Sequence, residues 1–142
     1  METVRACMRA GRLAEVVDFF SFGTNDLTQA TFSFSREDVE KKFLSSYLRM
    51  GILRNNPFEI LDIKGVGRLM ETALFWARRS KPSIEVGVCG EQAGEPNSVS
   101  YLHNILVDYV SCSPFRIPTA KLVAAQAAIR ERQNSSLPEL SE

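Results

Sequence analysis

Hydrophobic positions along this chain follow two alternating rhythms, and the alternation predicts an α/β domain. Val66, Leu69, Met70, Ala73, Leu74, Trp76 and Ala77 line one broad face, with Arg68, Glu71, Arg78 and Arg79 on the other, which marks the strongest amphipathic helix. Lys81-Pro82-Ser83 stops that helix, and Ile84 to Cys89 then alternates apolar and small residues as a strand. Upstream, Val39, Phe43, Leu44, Tyr47 and Leu48 predict a helix from Glu37 to about Met50, with Gly51 as its C-cap. Glu2 to Val17 carries a weaker helical pattern interrupted at Gly11.

Between these helices the signals are shorter. Phe19, Phe20 and Phe22 form a β-favouring run that ends at Gly23, and Leu27 to Ser35 has no clean period and reads as a loop. Asn55-Asn56-Pro57 marks a turn, Phe58 to Asp62 reads as a short helical piece, and Gly65 to Gly67 resets the chain. Glu95-Pro96-Asn97 resembles a helix start, with Val99, Leu102, Ile105 and Leu106 beyond it. Tyr109 to Cys112 reads as a last strand, and Pro118 opens a final helix to about Arg132. Residues 1–132 are expected to form the folded part and 133–142 a disordered tail.

Strands alternating with helices imply a parallel sheet joined by crossover helices. In such a sheet functional groups gather at the carboxyl ends of the strands. Gly23, Thr24, Asn25 and Asp26 would then neighbour Cys89 and the Ser111–Ser113 segment, and Glu2 would join them if a strand ends just before the first helix.

Composition narrows the class. The 142 residues suffice for one core, and 17 basic against 17 acidic side chains give no net field toward nucleic acid or an anionic membrane surface. No apolar run approaches the roughly 20 residues of a membrane span, and no secretory signal opens the chain. Cys7, Cys89 and Cys112 lack metal-type spacing and are expected to be reduced thiols of a soluble, intracellular protein.

Each candidate residue carries two readings. The Gly23-Thr24-Asn25-Asp26 turn either binds a ligand or uses Asn25 or Asp26 to cap the next helix. Glu2 and Asp26 together would offer hard oxygen ligands for magnesium or manganese, whereas Glu2 alone would be a solvated terminal carboxylate. Cys89, followed by Gly90 and Glu91, is either a proton-transfer group or a packed structural thiol. Acyl transfer fits less well, because the only histidine, His103, falls inside a helix away from the strand ends. Arg36 either folds back to grip a phosphate or carboxylate or pairs with Glu37 or Asp38, and Cys112 would pack as a small side chain.

The runs Ser21-Phe22-Gly23-Thr24-Asn25-Asp26-Leu27-Thr28-Gln29, Cys89-Gly90-Glu91 and Tyr109-Val110-Ser111-Cys112-Ser113-Pro114-Phe115-Arg116 resemble the C-terminal phosphoenolpyruvate-binding domain of the pyruvate, phosphate dikinase family. The resemblance covers residues 1 to about 132 and implies roughly the C-terminal half of a (β/α)8, TIM-type barrel. It further implies Glu2 and Asp26 as Mg2+ ligands, Glu2, Gly23, Thr24, Asn25 and Asp26 as contacts to phosphoenolpyruvate or pyruvate, and Cys89 as the group that protonates the enolate. The family interconverts ATP, pyruvate and phosphate with AMP, phosphoenolpyruvate and diphosphate, with further domains upstream and a homodimeric full-length enzyme.

Three positions depart from the family pattern. Val4 stands where proline is usual, and Gln92-Ala93 replaces His-Gly, the Ala-Gly pair being similar to enzyme I of the sugar phosphotransferase system. A whole barrel needs roughly 250 residues, so the chain is expected to be a fragment or truncated product, inactive alone, with Met1 inside what should be a strand. The competing expectations are a fragment of pyruvate, water dikinase or enzyme I, and a non-catalytic remnant serving as an interaction module. The expected location is the cytoplasm or an organelle.

Overall fold

In the computed structural model, which describes residues 1–135, three parallel strands form one open sheet in the order β1 (Phe19–Gly23), β2 (Glu85–Cys89), β3 (Tyr109–Ser111). Phe20 and Phe22 turn into the core while Phe19 turns outward, so only two of the three phenylalanines fill it. Register aligns Gly23 with Cys89 and Cys89 with Ser111, which brings all three strand ends to one edge. This is the α/β arrangement of a partial barrel whose sheet is not closed.

Helices separate the strands as the periodicity predicts. α1 (Val4–Met8) and α2 (Ala10–Ala14) precede β1, and their break lies at Arg9 rather than at the expected Gly11. Both helices pack on α6 (Arg68–Ser80), which buries Met70, Ala73, Leu74 and Ala77. Asp62 caps the π-helical turn Ile63–Gly67 that leads into α6, accepting from the Gly65 N–H.

The segment expected as a loop after β1 is instead α3 (Thr24–Phe32), which buries Thr24, Leu27 and Thr28. Two of these three are polar, so an apolar period is not visible there. The helix expected from Glu37 to Met50 divides at Phe43 into α4 (Arg36–Lys42) and α5 (Leu44–Arg49). Phe43 packs against Phe34 and Tyr47 beside a small second core of Val39, Leu44 and Phe58, and Gly51 takes a positive φ of 71°. Residues 58–62 form turns, not a helix.

α7 (Pro96–Asn104) starts at Glu95, whose carboxylate accepts from the N–H groups of Asn97 and Ser98 and from the Ser98 hydroxyl. α8 (Ile117–Ser135) packs on α7 and runs past the expected end at Arg132. The rest of the expected tail, 136–142, lies outside the described residues.

Candidate functional site at the strand ends

At the end of β1 the chain passes from strand to helix with no intervening residue. Gly23 closes the strand and Thr24 opens α3, with no side chain capping the helix. The first N–H groups of such a helix have no partner within it and point at whatever lies beyond the strand end. Asn25 and Asp26 therefore lie inside the helix and do not cap it. Asp26 is exposed, its Oδ1 accepting from Gln29 Nε2 at 2.9 Å.

Met1 runs beside β1. Its nitrogen donates to the Ser21 carbonyl at 2.7 Å, and its carbonyl accepts from the Gly23 N–H at 3.1 Å. That pair of bonds is the parallel-strand pattern, with Met1 opposite Phe22. Glu2 is thereby delivered to the end of β1, where its side chain lies over Gly23. A Cβ at position 23 would come within 2.6 Å of Glu2 Cγ and Oε1, so glycine lets the Glu2 side chain lie against the backbone there.

The end of β2 lies alongside. Cys89 pairs in register with Gly23, is half-buried, and directs its Sγ to the Phe22 carbonyl at 3.5 Å. Gly90 follows with φ 126°, and a Cβ there would fall 2.3 Å from Thr24 Oγ1, so both conformation and space demand glycine. The Thr24 hydroxyl has one proton for two acceptors, the Cys89 carbonyl at 2.9 Å and Gln92 Oε1 at 2.8 Å. Gln92 is fully buried and donates from Nε2 to the Pro57 carbonyl at 2.9 Å. Its side chain thus ties α3, the Cys89 turn and the 53–62 connector together.

Asn25 Oδ1 is buried without a hydrogen-bond partner among the described residues. Asn25 lines a cleft of ≈ 300 Å³ with Gly90, Glu91, Cys112, Ser113 and Arg116. A buried amide oxygen left unsatisfied costs roughly 1–3 kcal/mol.

Other flagged residues fall elsewhere or pair differently. Arg36 pairs with Glu40 and Glu91, each at 2.9 Å, rather than with Glu37 or Asp38. Its hydrogen bonds to Glu40 and Glu91 push the guanidinium pKa up further. His103, near the far end of α7, meets Glu131 at 3.1 Å. Cys112 is half-buried against the main core, and burial pushes the Cys7 thiol up to about 11, so Cys7 stays protonated at neutral pH. Sequence reasoning noted Gln92 only as a departure and missed its tether, whose partners lie 35 and 68 positions away.

Among the described residues no group of three or more His, Cys, Asp or Glu side chains is placed to hold a metal. Glu2 and Asp26 supply two carboxylates at the end of β1. That donor set suits Mg2+, which takes one or two protein carboxylates and completes its shell with water and substrate oxygens.

The model of the family described as "PEP-utilising enzyme, PEP-binding domain" matches residues 1–129. The chain belongs to this family. Among relatives of this phosphoenolpyruvate-binding domain, the pyruvate, phosphate dikinase of Entamoeba histolytica is 53% identical over 135 residues, covering 94% of the chain and 15% of the relative. Pyruvate, phosphate dikinase 2 of Oryza sativa subsp. japonica is 53% identical over 129 residues, covering 91% of the chain and 14% of the relative. The chloroplastic pyruvate, phosphate dikinase of Mesembryanthemum crystallinum is 55% identical over 126 residues, covering 89% and 13%. The chain therefore spans about one-seventh of the length of these relatives. These names favour a piece of a pyruvate, phosphate dikinase over one of pyruvate, water dikinase or enzyme I. No helix among the described residues is long and apolar enough to cross a membrane.

Proposed function

We propose that residues 1–132 are part of the phosphoenolpyruvate/pyruvate-binding domain of a pyruvate, phosphate dikinase. The observation that carries the reading is the in-register pairing of Gly23 with Cys89, which sets the uncapped start of α3 beside the end of β2, with the Glu2 side chain over Gly23. In this reading the backbone N–H groups of Thr24, Asn25 and Asp26 receive the substrate carboxylate or phosphate, where helix polarity also favours an anion. Gly23 keeps the backbone open to close approach.

Glu2 and Asp26 would hold Mg2+, which supplies stabilisation of negative charge on an enolate oxygen. Cys89 Sγ delivers a proton to the methylene carbon of the enolate, giving pyruvate and a thiolate, and recovers it in the reverse direction. Its half-buried place beside Gly23 keeps the thiol next to the helix start while leaving it accessible. The reading assigns the family reaction, the upstream domains and the homodimer to the larger enzyme, acting in the cytoplasm or an organelle.

The test is binding of phosphoenolpyruvate by calorimetry with and without Mg2+, on the native chain and on Asp26→Ala. Magnesium-dependent binding lost in Asp26→Ala supports the site. Equal binding by both proteins, or no binding by either, counts against it.

A further inference from the structure

Asp26 and Cys89 stand on different elements, and one chain of polar contacts connects them outside the sheet. Gln29, one turn after Asp26, donates to Asp26 Oδ1 at 2.9 Å and accepts at Oε1 from the backbone N–H of Arg36 at 2.8 Å. The Arg36 guanidinium then donates through Nε to Glu40 and through Nη2 to Glu91, both at 2.9 Å. Its Cζ lies 5.4 Å from the centre of the Phe58 ring. Glu91 is followed by the buried Gln92 and preceded by Gly90 and Cys89.

The energetic character of these contacts says what they do. Glu40 and Glu91 keep 41% and 49% of their side-chain surface exposed, and pairs of that kind add little to global stability. What they add is geometry. A planar guanidinium gripping two carboxylates in different directions, with a ring on its face, has one orientation, whereas a lysine ammonium is a rotating point charge. The backbone of the same residue is held from the α3 side by Gln29. Arg36 thereby joins the helix carrying Asp26 to the turn that follows Cys89, across 55 positions of sequence.

We propose that Arg36 is a positioning residue that fixes the Gly90–Glu91 turn after Cys89 against α3. The proposal rests on the reading that Asp26 and Cys89 serve one site, but its test needs neither metal nor substrate. The measurement is the rate of iodoacetamide alkylation at Cys89 in the full chain, followed by peptide mass spectrometry at fixed pH, with the fully buried Cys7 as the internal reference for global opening. Arg36→Gln and Glu91→Gln are each expected to raise the Cys89 rate about fivefold by loosening the turn. The double variant should be no faster than either single one, Arg36→Lys should resemble Arg36→Gln, and Glu40→Gln should change the rate by less than about twofold.

A role limited to general stability would accelerate Cys7 together with Cys89 and would appear equally in Glu40→Gln. That pattern, native-like Cys89 rates in both Arg36→Gln and Glu91→Gln, or multiplicative effects in the double variant would overturn the proposal. Glu91→Gln alters only a half-exposed carboxylate, so the comparison survives if Arg36→Gln fails to fold. Predicted rates together with absent phosphoenolpyruvate binding would sink the functional reading and leave the positioning role intact.

Discussion

The β1–β2 side of the sheet and the β3–α8 side are built from the same strand-and-helix alternation, yet they are held very differently. On the first, Phe22, Val86, Val88 and the inner face of α6 are buried, and Thr24, Gln92 and Arg36 cross-link separate elements. On the second, β3 has no buried residue, and among the described residues of α8 only Ala120 and Ala127 are buried. Phe115 is 96% exposed, Leu122 61% and Ile129 55%. Similar sequence patterns thus specify similar elements, while the stabilisation each element receives depends on which neighbours cover it. The candidate site lies mainly on the well-held side, where long-range polar contacts add precision to the packing.

Core truncations should show the contrast most strongly. Phe22→Ala removes a fully buried ring and should cost about 3–5 kcal/mol, whereas Leu122→Ala should stay within about 0.5 kcal/mol. Urea titration of both variants checks this, and comparable losses would erase the distinction between the two sides.

Polar cross-links come next. Gln92→Leu keeps volume but leaves the Pro57 carbonyl unpaired in the interior, for a loss of about 1–3 kcal/mol. His103→Ala removes a surface pair on the other side and should cost no more than about 1 kcal/mol. Equal shifts in their urea midpoints would show that Gln92 is not a structural tether.

Glu95 provides a smaller test that depends on pH. Burial alone would raise its pKa, but hydrogen bonds from the Ser98 hydroxyl, the Asn97 and Ser98 N–H groups and the Asn97 side chain outweigh burial and lower it. A depressed carboxylate stabilises the fold above its unfolded pKa and loses that contribution as pH falls through the folded value. Glu95→Gln should therefore cost about 1 kcal/mol at pH 7. The gap from the native chain should close below the ordinary value of 4.5. A gap independent of pH down to acid unfolding would contradict the capping account.

Legibility in the sequence follows the range of the interactions. β2 and α6 were readable because their buried residues are apolar and regularly spaced. α3 was hidden because Thr24 and Thr28 occupy interior positions, and the break at Phe43 arises from packing against Phe34 and Tyr47. The clustering of Gly23–Asp26 with Cys89 was legible from strand-end logic. The links through Gln92 and Arg36 were not, since the residues that satisfy them are remote in sequence and ordinary in type.

The central claim is that the ends of β1 and β2 form one divalent-cation and substrate site. Paramagnetic broadening of backbone amide signals by substoichiometric Mn2+, a surrogate for Mg2+, tests it most directly. The account predicts selective loss of the Gly23–Leu27 and Cys89–Gly90 signals, abolished in Asp26→Ala, with α8 unaffected. Broadening centred on α8, or unchanged broadening in Asp26→Ala, would contradict it.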